Sequence, residues 1–572
     1  MSAGRGLDAA GTGPAGADRG GGAGGVMGGP LRGMKPGAMR DLLVVGRIHT
    51  LAPAAPLAGA VLVRDGRFAW VGSAAECQAR ARPGAERLDL GGGCATPGLA
   101  DAHGHVLWHG RSLVEVRCEG LPGEEACAAR VAAFARGVPE GRWIRGQGWN
   151  HNLWPGARFP TAALLDAAAP AHPVLLTRAD GHAVWVNGRA LALAGVGKDT
   201  PDPPGGRLER HPDGRPTGVL VDHAARLVLD RVPPLSAAEI EEATVQALRG
   251  LARSGLTAVH DAGVSPEGLE IYRRLALEDR LPLRVYAMID GQAPRAVLDE
   301  RMARWRESPE VGRLAVRAVK LFADGALASR GAALFEPYAD DPGNVGLDLT
   351  EPGELRERIR AVARAGFQPA VHAIGDRACA GVLRAFRAAR DEGLLGSIPP
   401  RVEHLQTLLA RDALLLSGVV ASMQPIHAVC DAPWAERRLG HGTDRQRGAY
   451  AWRSALAGGA VLAFGSDFPV ESFDVRLGLR AAELRLPAGW AEPWMPEQRL
   501  GREEALRAYT VGPAVAALAG GRRGTVEVGR DADLSLFDRD LVAVPADELP
   551  GVAVEGTVVA GRVEYGGGVT PR

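Results

Sequence analysis

The first residues whose type and spacing could do chemistry are His103 and His105, in the motif TPGLADAHGH of residues 96–105. In extended backbone the side chains of residues i and i+2 point the same way, so both imidazoles can reach one metal ion. An HxH motif alone is unspecific, but this one directly follows a predicted β-strand. In barrels of alternating strands and helices the active site lies at the C-terminal ends of the strands, so this position favours a metal site.

Three further predicted strand ends repeat the pattern, with His372 in AVH, His404 in RVEH and Asp467 in GSD. Each of these histidines alone could equally be a hydrogen-bonded core residue. Together with the first pair they make four histidines and an aspartate, each at a predicted strand end, in a chain with only 14 histidines. Such a set is hard to obtain by chance, and it predicts metal binding.

Lys320 adds a different chemistry. It is one of only three lysines among 67 basic residues, and its apolar surroundings, RAVKLFADG, make a charged ammonium costly to desolvate. A buried amine of lowered pKa can take up carbon dioxide and become a carbamate, whose two oxygens can bridge two metal ions. Arginine stays cationic and cannot replace it. The alternative is a lysine that forms a simple ion pair with Asp324.

The elements that must position these residues follow from the apolar pattern. Short apolar runs alternate with helical stretches, which predicts an α/β fold built on a (β/α)8 TIM-like barrel. The eight predicted barrel strands cover residues 93–99, 256–261, 283–289, 315–322, 368–373, 401–405, 418–423 and 460–465. Residues 106–236 are too many for one loop, so they predict a substrate-cap subdomain inserted after the first barrel strand.

Both ends of the chain are rich in β-prone runs, so residues 41–95 and 517–572 are predicted to form one small composite β-sandwich domain. The barrel with its insert is assigned to residues 96–516. Residues 1–40 contain 14 glycines and no apolar segment of signal-peptide type. They are predicted to be a disordered Gly-rich tail.

Composition excludes several classes of function. The 67 basic and 67 acidic residues balance to zero net charge, which argues against a nucleic-acid partner. No run approaches the roughly 18 apolar residues of a membrane-spanning helix, so no membrane partner is expected. The six cysteines have neither CxxC nor zinc-ribbon spacing, which favours a reducing, cytoplasmic location. A homo-oligomer is compatible with a barrel of this size.

The motifs TPGLADAHGH, VKLFADGALASRGAALFEPY, VHAIGDRA, RVEHLQ and GSDFPV resemble those of the metal-dependent amidohydrolase superfamily. The chain is similar to the YtcJ-like branch, which includes the N-substituted formamide deformylases. The resemblance covers roughly residues 42–565. It extends to the insert through RGQGWNHNLWPG, DGHAVWVN and GGRLERHPDGRPTGVL.

The resemblance implies two divalent metal ions, with Zn²⁺ the default for such ligands and iron, manganese or cobalt as alternatives. It implies that His103, His105 and Asp467 hold one ion, that His372 and His404 hold the other, and that carboxylated Lys320 bridges them. A metal-activated hydroxide would attack the carbonyl of a small amide-type substrate. Asp467 would move the proton to the departing nitrogen as general acid/base.

Four residues are further candidates for substrate contact: His182, Arg330, Asp376 and His427. The resemblance suggests His182, which lies in the insert motif DGH, while the other three follow from their positions on predicted strand-end loops. Each could equally be solvated, paired or structural. The insert tryptophans at positions 143, 149, 154 and 185 either form a lid over the metals or the core of the insert.

The sequence leaves three functions open. The first is a hydrolase of a non-peptide C–N bond, such as that of an N-substituted formamide. The second is a mononuclear deaminase or cyclic amide/imidazolone hydrolase of the same superfamily, and Lys320 argues against it because one-metal members generally lack the carbamate bridge. The third is a non-catalytic barrel scaffold, against which the presence of all six ligands argues.

Overall fold

The computed structural model describes residues 40–179 and 181–566, so the predicted tail lies outside the described residues except for its last position. The described chain opens with an antiparallel three-stranded unit, a short helix and a strand parallel to the first. These elements are β1 (Leu42–His49), β2 (Leu57–Arg64), β3 (Arg67–Gly72), α1 (Ala74–Arg80) and β4 (Glu86–Pro97). Ser73 and Glu76 form a capping box that starts α1.

The first barrel strand, β5 (Leu99–Gly104), begins later than the sequence predicts. Residues 93–97 belong instead to β4, where Cys94 pairs with Phe537 of the C-terminal segment. The predicted strand of residues 93–99 merged two strands because both are apolar and only Gly98 separates them. A Cβ at Gly98 would lie 2.3 Å from Oγ1 of Thr257, so only glycine fits where the chain passes from one sheet to the next.

The segment after β5 forms a sheet of its own. Its helices are α2 (Val106–Leu113), α3 (Glu124–Ala135), α4 (Ala162–Ala168), α5 (Gly188–Ala194) and α6 (Arg226–Leu229). Its strands are β6 (Val116–Arg117), β7 (Ile144–Trp149), β8 (Val174–Arg178), β9 (Ala183–Val186), β10 (Gly206–Arg210) and β11 (Pro216–Asp222), in the spatial order β10-β11-β9-β8-β7-β6. Trp149, Trp154 and Trp185 pack together with ring centroids 6.1 to 6.3 Å apart, so these three form the core of the insert and not a lid.

Seven parallel strands join β5 to form the barrel, and they follow β5 around it in chain order. The strands are β12 (Leu256–Val264), β13 (Arg284–Asp290), β14 (Glu310–Val311), β15 (Leu314–Phe322), β16 (Gln368–Ala373), β17 (Arg401–His404), β18 (Val420–Met423) and β19 (Val461–Phe464), of which β14 is antiparallel and outside the barrel path. A bridge between Gly104 and Phe468 brings β5 beside the end of β19 and nearly closes the barrel. The prediction of an eight-stranded α/β barrel is confirmed.

The barrel region carries amphipathic helices whose apolar faces pack on the strands. They are α7 (Ala237–Arg253), α8 (Pro266–Leu277), α9 (Arg295–Arg306), α10 (Pro352–Arg364), α11 (Asp376–Asp391), α12 (Pro425–Leu439), α13 (Asp444–Arg447), α14 (Trp452–Ala457), α15 (Val475–Leu484), α16 (Arg502–Ala508) and α17 (Val511–Ala516). On α11, for example, Val382, Leu383 and Phe386 are buried. Within residues 40–179 and 181–566, none of the helices has the length and apolar character needed to cross a membrane.

The chain ends in β20 (Leu534–Phe537), β21 (Val554–Val559) and β22 (Arg562–Gly566). Since β20 pairs antiparallel with β4, strands from both ends form one seven-stranded sheet in the order β22-β21-β20-β4-β1-β2-β3. Its core unites residues far apart in sequence, including Val44, Val61, Leu534 and Val558. The prediction of a composite domain built from both ends of the chain is confirmed.

Candidate metal centre

The six predicted ligands lie at the carboxyl end of the barrel, where five of its strands finish. They are His103 in β5, His105 directly after it, Lys320 in β15, His372 in β16, His404 at the end of β17, and Asp467 three residues beyond β19. The strands run parallel, so their carboxyl ends meet at one rim of the barrel. Residues from most of the length of the chain therefore face one small volume.

Four imidazoles form the centre of this group. The ring centroid of His404 lies 4.7 Å from that of His103 and 4.6 Å from that of His372. The ring of His105 lies 5.5 Å from His103. The structure thus brings the four predicted histidines into one continuous cluster.

His103 is oriented by a hydrogen bond at one nitrogen, and its other nitrogen faces the other predicted ligands. Its Nδ1 lies 2.5 Å from Oε2 of Glu403, so the imidazole donates there and its Nε2 points inward. That Nε2 lies 3.2 Å from Nζ of Lys320 and 3.5 Å from Oδ1 of Asp467. The same carboxylate oxygen lies 3.0 Å from Nε2 of His105. A carboxylate that fixes the far nitrogen of an imidazole is the usual partner of a metal-binding histidine.

The other histidines also present a nitrogen to the site. Nδ1 of His404 lies 3.0 Å from Oε1 of Gln424, which leaves its Nε2 for another partner. The Nε2 atoms of His372 and His427 are buried, and no atom of the described residues hydrogen-bonds to either. Buried polar atoms are rarely left unpaired in folded proteins. These two nitrogens are therefore suited to bind an ion or a substrate.

Burial keeps His103 and His372 in the neutral form that binds metals. Desolvation, helped by the positive charge of Lys320, lowers the pKa of His103 to about 4 and that of His372 to about 3. Burial also lowers the pKa of Lys320 to about 8. For Asp467, burial would raise the pKa, but the hydrogen bond with His105 and the nearby histidines hold it well below its usual value. The site thus combines the neutral imidazoles of His103 and His372 with the ionised carboxylate of Asp467.

A buried ion pair beneath the site supports His103 and was missed by sequence reasoning. Glu403 and Arg401 are both inaccessible to solvent, and Nε of Arg401 donates to Oε1 of Glu403 over 2.7 Å. Arg401 also reaches Nδ1 of His260 at 2.9 Å and the carbonyl of Ala102 at 2.8 Å. The available signal was the alternation in RVEH, because Arg401 and Glu403 share one face of a buried strand.

Asp101 is a second missed supporting residue, and it joins the first and last barrel strands. Its Oδ1 accepts from the backbone N–H groups of His103 and Ser466, and its Oδ2 accepts from the Ser466 hydroxyl at 2.6 Å. Ser466 directly precedes Asp467. Asp101 therefore fixes one ligand from β5 relative to one from the loop after β19.

Asp324 does not pair with Lys320, contrary to the alternative weighed for that lysine. Its carboxylate accepts from the backbone N–H groups of Ala333, Ile374 and Gly375 at 2.8 to 3.0 Å. These bonds tie the loop after β15 to the residues that follow His372. Lys320 is free of that aspartate and faces the imidazole cluster instead.

Of the four residues predicted to contact substrate, one lies beside the predicted ligands and three have other partners. His427 joins the cluster: its ring is nearly parallel to that of His404 at 6.5 Å. Asp376 accepts from the backbone N–H of Phe335, and Arg330 pairs with Asp340. His182 is an exposed residue of the insert that pairs with Asp222. The structure thus brings only His427 of the four next to the predicted ligands in the contacts described.

At the barrel rim, two groups of side chains have the spacing to hold an ion. One ligand atom from each of His103, His105 and Asp467 lies within 4.8 Å of the others, and the same holds for His404, His427 and Asp467. The first group is the predicted one. The second contains His427, whereas the prediction names His372. Lys320 lies 3.2 Å from Nε2 of His103 in the first group, and the nitrogen and oxygen donors of both groups fit divalent ions of the zinc type.

A parallel α/β barrel with imidazoles, a lysine and an aspartate at its carboxyl rim defines a metal-dependent hydrolase. Residues 86–565 match the profile of the Amidohydrolase family, and the chain belongs to that family. Residues 59–81 also match a bacterial imidazolonepropionase-like composite domain. The predicted resemblance to the amidohydrolases and their YtcJ-like branch is confirmed by these matches and by individual relatives.

The chain is 32% identical over 534 residues to the YtcJ protein of Bacillus subtilis (strain 168), covering 91% of this chain and 98% of that protein. It is 29% identical over 540 residues to the N-substituted formamide deformylase of Arthrobacter pascens, covering 92% and 98%. A solved structure of an uncharacterized metal-dependent hydrolase from Pyrococcus furiosus superposes with a TM-score of 0.70 at 27% identity. That match covers 88% of this chain and all of the other.

Proposed function

We propose that this amidohydrolase cleaves a non-peptide C–N bond of the amide or formamide type in a small molecule. The observation that carries the proposal is the convergence of four imidazoles, Lys320 and the ionised Asp467 at one rim of the barrel. The similarity to an N-substituted formamide deformylase over nearly the whole chain supports this substrate class. The match to an imidazolonepropionase-like domain covers none of these residues, so it does not favour ring opening.

In this proposal His103, His105 and Asp467 hold one divalent ion and His372 and His404 hold a second, with zinc the first choice. Two such ions would supply a hydroxide near neutral pH and polarise the scissile carbonyl. The inward Nε2 atom of His103 supports the assignment, as does Nε2 of His372, which has no hydrogen-bond partner among the described residues.

Lys320 is proposed to bridge the two ions as a carbamate. Its pKa of about 8 leaves a larger share of neutral amine at neutral pH than an exposed lysine has. The neutral nitrogen forms a bond to the carbon of carbon dioxide and releases one proton. The product is an anion with two oxygens at a position where the surrounding imidazoles are uncharged.

Asp467 is proposed as general acid/base. Its carboxylate is held ionised by His105 and the neighbouring imidazoles, so it can accept the proton of the attacking water. It then gives this proton to the departing nitrogen as the C–N bond breaks. The hydroxyl group stays on the acyl carbon, and the products are a carboxylic acid and an amine.

The mouth of the site favours an apolar substituent on the substrate. The ring of Trp108 lies 5.9 Å from that of His105, and this tryptophan is 48% exposed. Val470, three residues after Asp467, is 53% exposed. Exposed apolar side chains beside an active site commonly mark the surface that receives a ligand. His427, whose ring lies 6.5 Å from that of His404, is proposed to contact the substrate, as are His182, Arg330 and Asp376.

The six cysteines are free in the structure, which supports the proposal of a reducing, cytoplasmic location.

The test is a screen of N-substituted formamides and simple N-acyl amines with protein reconstituted with zinc and bicarbonate. Release of formate or another carboxylic acid together with free amine is expected. The matched control is Asp467→Asn, which keeps the size of the side chain but cannot accept the proton. Hydrolysis at the wild-type rate by Asp467→Asn, or no hydrolysis of any member of either substrate series by the wild type, would overturn the proposal.

A further inference from the structure

A second group of ligand-type side chains lies in the composite β domain, away from the barrel rim. One ligand atom from each of His49, Cys94 and Asp540 lies within 4.8 Å of the others. The three residues are so far apart in sequence that no motif links them. None of them belongs to the site described above.

The sheet register explains why these residues meet. In the parallel pair β1–β4, Arg47 lies opposite Cys94, and His49 follows Arg47 by two residues on the same face. On the other side of β4, Cys94 pairs with Phe537 of β20, and Asp540 comes three residues later. One face of the composite sheet therefore collects a side chain from each of three chain segments.

Two of these side chains, those of Asp540 and Cys94, also have a partner outside the cluster. Oδ1 of Asp540 lies 2.8 Å from Nε2 of His49, and its Oδ2 accepts from Arg47 at 2.5 Å. Sγ of Cys94 accepts from the backbone N–H of Leu541 at 3.3 Å. Hydrogen bonds of this kind orient the ligands of metal sites and stabilise their negative charge.

Exposure at this cluster is graded from its core to the surface. Cys94 is fully buried, while the side chains of His49 and Asp540 retain 11% and 13% exposure. An ion can therefore reach the cluster past the imidazole and the carboxylate. The outermost side chain, Arg47, is exposed and binds only the carboxylate oxygen that His49 does not contact.

We propose that His49, Cys94 and Asp540 form a structural site for a divalent transition-metal ion such as Zn²⁺. One nitrogen, one sulfur and one oxygen donor suit zinc, and a water completes four ligands. Ligand atoms about 2.1 Å from a tetrahedral ion lie roughly 3.4 Å apart, so the His49–Asp540 pair must open by about 0.6 Å. The Cys94 thiol loses its proton to the solvent when the metal–sulfur bond forms.

The site would join β1 and β4 to the segment after β20. It would therefore fasten the two ends of the chain to one another in the composite domain. Without an ion, burial raises the pKa of Cys94 to about 12, so the thiol is protonated and metal binding releases a proton. This role is independent of the reaction proposed for the barrel.

The test uses the full chain expressed in medium with Co²⁺ as the only added transition metal. A thiolate ligand gives cobalt a near-ultraviolet charge-transfer band, and the barrel ligands include no thiolate. Elemental analysis and absorption are compared for the wild type, Cys94→Ser and Cys118→Ser. The last variant is a matched control because Cys118 is also buried but lies in the insert.

We expect the wild type and Cys118→Ser to show the band and to carry one more cobalt ion per chain than Cys94→Ser. His49→Ala, at a partly exposed position, should weaken cobalt binding at this site more than about tenfold in a competition titration. The His49→Ala variant still tests the proposed metal site if Cys94→Ser does not fold. A wild type without the band, a band that survives in Cys94→Ser, or unchanged affinity in His49→Ala would overturn the proposal.

Discussion

Replacing Glu403 with glutamine tests how the metal centre is supported from below. The carboxylate of Glu403 is fully buried and accepts from Arg401 at 2.7 and 3.1 Å and from Nδ1 of His103 at 2.5 Å. Glutamine keeps the shape but removes the charge. It leaves the guanidinium of Arg401 buried without a counter-ion, and it removes one acceptor at the nitrogen that orients His103.

The expected losses of folding free energy and of zinc affinity follow from these contacts. Removing one partner of a buried ion pair costs about 3–5 kcal/mol of folding free energy, because the other charge stays desolvated. Losing the carboxylate behind a metal-binding histidine weakens metal affinity about 10- to 100-fold. We therefore expect Glu403→Gln to lower both the free energy of unfolding and the affinity for zinc.

The assay combines denaturant unfolding of the metal-free protein with zinc titration against a chromophoric chelator. The control is Glu270→Gln, which removes an exposed carboxylate that also binds one arginine, Arg304, through two nitrogens. Exposed pairs contribute only about 0–1 kcal/mol, and Glu270 lies on α8 outside the metal cluster. If Glu403→Gln matches this control in both stability and zinc affinity, the reasoning about the buried support is refuted.

Three further predictions concern the bridge, the tail and the mouth of the site. Lys320→Arg should fold normally by circular dichroism but lose one of the two barrel ions and most activity, because arginine cannot form a carbamate; a fully active variant would exclude the bridge. Deletion of residues 1–38 should leave melting temperature and turnover unchanged, and a large fall in melting temperature would contradict the predicted disorder. Trp108→Ala should lower kcat/KM for formamides with aromatic N-substituents about 10- to 100-fold, but not for N-methylformamide. Equal losses for both substrates would contradict an apolar contact with the substituent.

The barrel was predictable because its strands are buried on both faces and read as continuous apolar runs. Seven of the eight predicted strands overlap the observed ones within a few residues, from β12 to β19. The exception, residues 93–99, spans the passage from β4 to β5. Apolar character identifies a buried strand but not the sheet to which it belongs, and here the two sheets meet at Gly98.

The meeting of the candidate ligands at the rim was predictable because each of them lies at a predicted strand end, a position that a linear pattern can indicate. The supporting residues were not. Glu403 and Asp101 act through partners from other strands, and Gln424 reaches His404 from the end of β18. Such contacts depend on which strands become neighbours and on the direction of each side chain, and a single sequence contains neither.

The barrel rim is proposed to hold two divalent ions, and the metal-to-protein ratio measures their number. The ratio is best measured by elemental analysis on the Cys94→Ser variant, expressed with added zinc and bicarbonate, so that only the barrel site contributes. We expect a ratio near two. A ratio near one would indicate a mononuclear deaminase or ring-opening enzyme, and a ratio near zero would indicate a scaffold; either result would contradict the proposal.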